Sequence, residues 1–358
     1  MRDIYMEVAS SVGLMAGLFS YISLFMLRPI ALRLRLVDTP DHRKLHKGSV
    51  PLMGGLSAFL GLSLAWMIGM PLVSVHGLFL LCAALLVIVG AVDDARDLPA
   101  NFRLGVQIVL GGVLTFGSGT WLTTFGNLLG FGAIELGVLG PLITIAAVIG
   151  ATNAFNMVDG MDGLAGSLSL VALGSLALLF HASSGFTAEL ALAIGIGCSL
   201  IPYLMANLRI RPFRRRIFMG DAGSIFIGFA VVWLLVNATQ PGEMAMRPVT
   251  ALWVIAIPLM DMVAIMVRRA RKGQSVMKPD RDHLHHIFMR AGFSDREALL
   301  FITAVALIFA GIGLLGDFYH VPEWLMFVAF IGLFALYDRS LSHIWRLLVV
   351  VRKGRVGV

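Results

Sequence analysis

Charged residues and cysteines are both scarce in this chain of 358 residues. Only 14% of the residues are Asp, Glu, Lys or Arg, whereas 58% are hydrophobic, and soluble domains carry about 25% charged residues. This composition excludes an ordinary soluble domain and indicates a protein embedded in lipid. The two cysteines, Cys82 and Cys198, lie inside apolar runs, which argues against a disulfide framework and a thiolate zinc site.

Long apolar segments dominate what is present. A transmembrane helix needs about 20 mainly apolar residues, and eleven segments approach that length: 8–27, 52–71, 76–92, 104–122, 137–157, 163–181, 190–206, 222–238, 249–267, 298–316 and 322–337. We therefore predict an all-α fold, a polytopic membrane bundle of about 11 transmembrane helices that forms one domain over residues 1–358.

Basic residues fix the predicted orientation. If the N-terminus lies outside, the cytosolic segments are 28–50, 93–103, 207–220, 268–297 and 338–358, and they hold every Lys and Arg except Arg2 and Arg247. This asymmetry follows the positive-inside rule. We predict a multi-pass membrane protein with its N-terminus outside and a basic cytosolic tail over 339–358.

Acidic side chains gather where the third span meets the cytosol. Asp93, Asp94 and Asp97 form a D-D-x-x-D pattern. Adjacent carboxylates repel each other and are best tolerated where a cation, a basic substrate or water compensates them. The pattern indicates a magnesium or catalytic site, with a solvated acidic loop as the alternative.

A second polar series ends the fifth span, with Asn153, Asn156, Asp159 and Asp162 at every third position. On a helix this spacing keeps the side chains near one face. Unpaired polar groups near lipid cost about 1–3 kcal/mol each. We expect the series to line a wet cavity, a metal or a ligand, and hydrogen bonding between helices is the alternative.

The eighth span begins at Phe218-Met-Gly-Asp221, after a loop rich in arginine. The free N–H groups and positive dipole end of a helix start suit a phosphate, and Asp221 suits a magnesium ion that bridges it. The alternative is that Asp221 is only an N-cap and that the arginines only fix the topology.

Two other cytosolic loops are basic. The fifth loop carries His283, His285, His286 and Arg290, which together suit a diphosphate, and a His-rich transition-metal site is the competing interpretation. The first loop carries Lys44, His46 and Lys47. These groups can receive a lipid phosphate or simply reach the membrane headgroups.

Taken together, the segments DDARD, NAFNMVDGMDG, FMGDAGS and DHLHH resemble the polyprenyl-phosphate N-acetylhexosamine-1-phosphate transferases. The resemblance covers about residues 28–297. It implies a multi-pass protein of the bacterial cytoplasmic (inner) membrane, with a periplasmic N-terminus and a cytosolic active site. The segments PVTALWVIAIPLMDMVAIM and DHLHHIFMRAGF are similar to the branch that uses UDP-N-acetylglucosamine and undecaprenyl phosphate. The branch with a muramoyl-pentapeptide donor usually has three consecutive histidines, which Leu284 interrupts here.

The resemblance implies a reaction. The lipid phosphate would attack the β-phosphorus of UDP-N-acetylglucosamine, release UMP and form undecaprenyl-diphosphate-N-acetylglucosamine, which starts O-antigen or other envelope polysaccharides. Another UDP-N-acetylhexosamine, or UDP-N-acetylmuramoyl-pentapeptide, is the alternative donor. A membrane transporter of an anionic solute is the alternative from a different class.

The resemblance also implies residue roles. Mg²⁺, with Mn²⁺ as a substitute, would be held by Asp221 and Asn156, while Asp162 and Phe218 would bind the uracil. The expected catalytic residues are Asp93, Asp94 and Asp159; the other substrate-binding residues are Asn153, Lys44, His46, Lys47, His283, His285, His286 and Arg290. An aspartate that forms a covalent acyl-phosphate is the open alternative. The expected partners are the two substrates, membrane lipids and a second copy in a homodimer, with no nucleic acid.

Overall fold

Helices make up most of the structure, a computed structural model that describes residues 2–38, 48–71, 74–240, 242, 244–273, 288 and 292–356. The helices are α1 (Arg2–Arg33), α2 (Gly54–Gly69), α3 (Ser74–Arg96), α4 (Ala100–Ser118), α5 (Gly140–Val158), α6 (Leu164–Ala182), α7 (Thr187–Asn207), α8 (Asp221–Ala238), α9 (Pro248–Val254), α10 (Ala256–Arg271), α11 (Asp295–Phe318) and α12 (Glu323–Val356). Two short strands, β1 (Val37–Asp38) and β2 (Val50–Pro51), pair antiparallel. The predicted all-α, polytopic membrane fold is confirmed.

Eight of the described helices are long and apolar enough to cross a membrane, or nine if α9 and α10 form one bent span. The predicted segment 52–71 falls on α2, which has only 16 residues, and the segment 322–337 falls on the start of α12. The count of eleven spans therefore stays a prediction.

The ninth predicted span, 249–267, is broken rather than straight. Helices α9 and α10 meet at Ile255 and are bent by 84° relative to each other. Pro258 lacks the N–H that would bond to the Val254 carbonyl and continue α9. The proline instead lies in the first turn of α10, where a missing donor costs little.

Helix α8 forms the centre of the bundle. Every residue from Ala222 to Val236 is buried, and α8 packs against α2, α3, α5 and α6. A helix that is apolar on all sides is expected in such a position. Its approach to α2 requires glycine on both helices, because a Cβ on Gly55 would lie only 2.0 Å from the Cα of Gly223.

Backbone hydrogen bonds join the start of α2 to the loop before α8. The Phe218 N–H donates to the Pro51 carbonyl at 2.9 Å, and the Phe218 carbonyl accepts from the Gly54 N–H at 2.9 Å. Residues Leu52 and Phe218 form a parallel bridge beside the β1–β2 pair. This short ladder fixes the loop that leads into α8.

The opposite end of the bundle carries a clasp centred on Arg247, just before α9. Its Nε donates to Asp317 at 3.0 Å, and its two Nη atoms donate to the carbonyls of Val321 and Gly316 at 2.6 and 2.7 Å. Thr250 donates to the same Asp317 oxygen at 2.9 Å. The clasp ties α9 to the turn between α11 and α12.

Candidate active site

Polar side chains from four helices meet at one end of the bundle. Asp93 and Asp94 come from the last turn of α3, Arg103 from the first turn of α4, Asn156 from the last turn of α5 and Asp221 from the first residue of α8. We call these five residues the acidic cluster. These residues are far apart in the sequence but lie together at one end of the bundle. The predicted topology had placed their segments on the same side of the membrane.

Arg103 connects two carboxylates of the acidic cluster. Its Nη1 lies 2.6 Å from Oδ2 of Asp93 and 3.1 Å from Oδ2 of Asp221. Asp93 is only 5% exposed, and its other oxygen accepts the Leu98 N–H at 2.7 Å. Both oxygens of this buried carboxylate therefore have donors, as buried charge requires.

Asp94 caps the start of α8 from the neighbouring helix. Its carboxylate accepts the N–H of Asp221 at 2.9 Å and that of Ala222 at 3.4 Å. The N-cap of α8 is Gly220, at φ 76°, where a Cβ would lie 2.5 Å from an Asp94 oxygen. Glycine thus provides both the backbone conformation and the space for the carboxylate.

This geometry corrects two predictions about the start of α8. A phosphate was expected on its free N–H groups, but Asp94 takes the first two, and the N–H groups of Gly223 and Ser224 bond to the Gly220 carbonyl. The alternative, that Asp221 is an N-cap, is also wrong because Asp221 is already helical. The carboxylate of Asp94 already balances the helix dipole here.

Asp221 is held by donors on both oxygens. Asn156 donates to Oδ1 at 2.8 Å and also to the hydroxyl of Ser224 at 3.0 Å, while Arg103 donates to Oδ2. A carboxylate and an amide from two helices are oxygen donors of the kind that Mg²⁺ prefers. Within the described residues no group of three or more His, Cys, Asp or Glu side chains is placed to hold a metal.

The donor set nevertheless fits magnesium. Mg²⁺ is usually bound through one or two carboxylates together with substrate phosphates and water, not by a cage made only of protein groups. Asp221 and Asn156 supply a carboxylate and an amide whose oxygen can turn toward an ion. They fit the predicted metal ligands on this chemistry.

The polar series of α5 is helical only in part. Helix α5 ends at Val158, so Asn153 and Asn156 lie on it, Asp159 is its C-cap and Asp162 lies in the following turn. Asn153 donates to Oε1 of Gln107 on α4 at 3.2 Å. Both asparagines thus form the hydrogen bonds between helices that were the alternative interpretation.

Asp159 is partly buried beside the acidic cluster. Burial raises the pKa of its carboxyl well above the ordinary value, and the negative charges of nearby carboxylates, Asp221 first, raise this pKa further. The uncharged form of Asp159 is therefore favoured while these carboxylates are ionised.

Asp162 is paired with a residue of the arginine-rich loop. Nη2 of Arg216 lies 2.9 Å from Oδ2 of Asp162, and Arg216 stands two residues before Phe218. The ion pair therefore connects the turn after α5 to the loop that carries Phe218. Asp162 and Phe218 are the two residues expected to bind the uracil.

Comparison with known proteins adds a second line of observation. The sequence profile of glycosyl transferase family 4 matches residues 76–239. An undecaprenyl-phosphate alpha-N-acetylglucosaminyl 1-phosphate transferase of Yersinia pestis is 43% identical over 337 residues, which cover 94% of this chain and 92% of the relative. This chain belongs to glycosyl transferase family 4.

Relatives with the same name occur in other bacteria. The protein of Escherichia coli (strain K12) is 42% identical over 340 residues, covering 94% of this chain and 92% of the relative. That of Haemophilus influenzae is 42% identical over 337 residues, covering 93% and 94%. The family 4 profile spans α3 to α8 and hence every residue of the acidic cluster.

Seven of the predicted substrate-binding residues lie outside the residues that the structure describes. They are Lys44, His46, Lys47, His283, His285, His286 and Arg290. Their roles stay predictions. The family 4 profile does not reach them either, because it begins at residue 76 and ends at residue 239.

Sequence reasoning missed four residues of the candidate site. Arg103 was counted only as a cytosolic charge, and Gln107 and Ser224 were not considered. The spacing of Arg103 and Gln107 places them on one face of α4, which could have signalled a polar face toward α5. Arg216 was assigned to topology, and nothing in the sequence shows that it reaches Asp162.

Proposed function

We propose that this protein transfers N-acetylglucosamine-1-phosphate from UDP-N-acetylglucosamine to undecaprenyl phosphate. The relatives that carry this activity in their name are 42–43% identical over at least 93% of the chain. The observation that carries the proposal is the acidic cluster, in which Asp221 and Asn156 of different helices meet beside Arg103. With Mg²⁺ bound, such a site would neutralise and position phosphates, which is the main requirement of phosphoryl transfer.

The reaction forms one bond and breaks one. An oxygen of the lipid phosphate attacks the β-phosphorus of the donor, and the bond between that phosphorus and the bridging oxygen breaks. UMP leaves with the bridging oxygen, and the bond between sugar and phosphate is kept. A phosphomonoester has a second pKa of about 6, so the acceptor is largely dianionic at neutral pH and needs no strong base.

Six of the described residues have a task in this proposal. Asp221 and Asn156 would hold Mg²⁺, with Mn²⁺ as a substitute, and the ion would supply charge neutralisation for the donor diphosphate. Asp162 and Phe218 bind the uracil, with Arg216 orienting Asp162. Asp94 acts indirectly, because its carboxylate fixes the backbone of Asp221.

Direct attack by the lipid phosphate is favoured over a covalent acyl-phosphate. A nucleophilic carboxylate needs a free, ionised oxygen. Both oxygens of Asp93 accept short hydrogen bonds, and those of Asp94 accept backbone N–H groups. The raised pKa of Asp159 leaves its carboxyl a weaker candidate. Exchange of labelled UMP into the donor without lipid would instead support the covalent route.

The placement of the acidic cluster also separates an enzyme from a transporter. Transporters place their binding site near the middle of the membrane, between broken helices. Here the polar groups lie at the ends of α3, α5 and α8, where a soluble nucleotide and a membrane lipid can both arrive. We propose that this end faces the bacterial cytosol, in the inner membrane, with the N-terminus in the periplasm.

A transfer assay with the detergent-purified protein tests the proposal. UDP-N-acetylglucosamine, undecaprenyl phosphate and Mg²⁺ are supplied, and lipid-linked sugar and UMP are both measured. We expect equal amounts of the two products from the native protein, loss of both on chelation and in Asp221→Asn, and retention of both in Asp97→Asn, which changes an exposed carboxylate of the same segment.

The outcomes distinguish the parts of the proposal. Activity only with another UDP-N-acetylhexosamine or with the muramoyl-pentapeptide donor would keep the reaction and reject the donor. Full activity of Asp221→Asn would reject the metal site. A folded native protein that is inactive with every donor would reject the transferase.

A further inference from the structure

We propose that Arg103 is a built-in competitor of Mg²⁺, a guanidinium that neutralises Asp221 until the ion displaces it. This inference rests on the proposed function, because it concerns the proposed metal ligand. It assigns Arg103 a positioning role that begins before substrate binds.

Both oxygens of Asp221 are occupied by donors in the structure. Oδ1 accepts from the Asn156 amide at 2.8 Å and Oδ2 accepts from Nη1 of Arg103 at 3.1 Å. An ion that coordinates Asp221 must approach one of these oxygens. At Oδ2 it would meet the positive guanidinium, and like charges at such distances repel strongly. Magnesium binding and the Arg103–Asp221 contact therefore oppose each other.

The two contacts of Arg103 differ in strength. Nη1 lies 2.6 Å from Asp93 but 3.1 Å from Asp221, and shorter charge-assisted bonds are the stronger ones. The Asp93 side chain is 3% exposed, whereas that of Asp221 is 33% exposed. Asp93 is thus the anchor of Arg103, and Asp221 is the partner that it can release.

Arg103 is also the local counter-charge of the acidic cluster. Within the described part of the chain, it is the only basic side chain that forms an ion pair with Asp93, Asp94, Asp159 or Asp221. Carboxylates that crowd together need such compensation. In the absence of Mg²⁺ the guanidinium supplies it, and once Mg²⁺ supplies it the contact with Asp221 is no longer required.

The guanidinium of Arg103 can still bind a ligand after Mg²⁺ has displaced it from Asp221. Nε and Nη2 of Arg103 have no acceptor among the described residues, and the side chain is 32% exposed. A guanidinium presents its N–H groups in a fork that matches two phosphate oxygens. With Nη1 anchored on Asp93, the free edge of Arg103 is available to a substrate phosphate.

Magnesium chloride alone, without donor or lipid, tests the inference on the full-length protein in detergent. The melting temperature is measured against Mg²⁺ concentration for the native protein, Arg103→Gln, Arg103→Lys and the matched control Arg96→Gln. Arg96 is an exposed arginine at the end of α3. The control removes the same charge nearby without removing the contact with Asp221.

The expected result is a stronger Mg²⁺ response when the competitor is absent. Arg103→Gln should melt lower than the native protein in EDTA, and its half-saturating Mg²⁺ concentration should fall about tenfold, which corresponds to the loss of one charge-assisted hydrogen bond. Arg103→Lys should fall between Arg103→Gln and the native protein, and Arg96→Gln should match the native protein.

Other outcomes overturn the inference. If the half-saturating Mg²⁺ concentration of Arg103→Gln equals or exceeds that of Arg96→Gln, Arg103 does not compete with Mg²⁺. If Arg103→Gln does not fold, Arg103→Lys provides the test. A half-saturating Mg²⁺ concentration of Arg103→Lys that is no lower than that of the native protein would also show that Arg103 does not compete. The absence of any Mg²⁺ response in every variant would instead reject the proposed metal site, and the inference with it.

Discussion

Asp94 should stabilise the fold more than its charge destabilises it. Without divalent cations, we expect Asp94→Asn to lower the free energy of unfolding by at most about 1 kcal/mol and Asp94→Ala to lower it by about 2 kcal/mol. The Asp94 carboxylate accepts two backbone N–H groups at the start of α8, at 2.9 and 3.4 Å. Asparagine retains one acceptor but loses the charge, whereas alanine leaves both N–H groups without an acceptor.

The magnitude follows from the kind of bond that is lost. A hydrogen bond to a charged group contributes about 1.5–3 kcal/mol and a neutral one about 0.5–1.5 kcal/mol, so removing the charge costs at most about 1 kcal/mol. The cost of burying the Asp94 charge and the repulsion from Asp93 and Asp221 act in the opposite direction. Arg103 pairs with both of these carboxylates, which reduces their effect on Asp94, and we therefore expect capping to dominate.

Thermal melting in detergent with EDTA, followed by the loss of monodisperse protein in size-exclusion chromatography, measures the effect. Asp97→Asn is the matched control, because Asp97 is exposed and has φ 51°, a conformation that asparagine accepts. The melting temperatures should fall in the order Asp97→Asn, Asp94→Asn, Asp94→Ala. Unchanged or higher melting temperatures in both Asp94 variants would refute the reasoning, because repulsion would then outweigh capping.

Three further predictions concern the nucleotide site, the helix contact and the effect of pH. Arg216→Gln should raise the KM for UDP-N-acetylglucosamine severalfold with a smaller change in kcat, because Asp162 loses its partner at 2.9 Å; steady-state kinetics would contradict this if only kcat fell. Gly55→Ala should give no monodisperse protein, because its Cβ would overlap α8, whereas Gly77→Ala, with open space around the Cβ, should purify normally. Because the pKa of Asp159 is raised in the folded state, the stability of the protein without metal should fall as pH rises toward that pKa. The Mg²⁺ concentration at half-saturation should rise as pH is lowered, because protons then compete with the ion. Melting at several pH values with and without Mg²⁺ checks both, and Asp159→Asn should reduce the dependence.

The sequence was sufficient to predict the class of fold. A run of about 20 apolar residues has few alternatives to a membrane helix, since lipid offers no partner for an unpaired backbone group. The predicted segments 137–157, 163–181 and 222–238 accordingly lie almost wholly within α5, α6 and α8. The break at Ile255 was not predicted, because hydropathy does not depend on whether a residue has a backbone N–H, and Pro258 lacks one.

The polar residues were easier to find than their contacts. Asp93, Asp94, Asn156 and Asp221 stood out because carboxylates and amides are costly at the edge of lipid. Their partners depend on which helices pack together, and local spacing carries no such information. Asp94 thus proved to cap a helix 127 positions later in the chain.

The Arg247 clasp has a consequence for how the chain enters the membrane. In the proposed orientation this arginine must be carried to the outer side, against the rule that places basic residues inside. Its partners, Gly316, Asp317 and Val321, are made about 70 residues later, so its cost is offset only after α11 has been inserted. The inserted position of α9 is therefore not stabilised until the last two helices have been inserted. A chain that ends before Asp317 would leave the Arg247 charge uncompensated, a defect that cellular quality control can recognise.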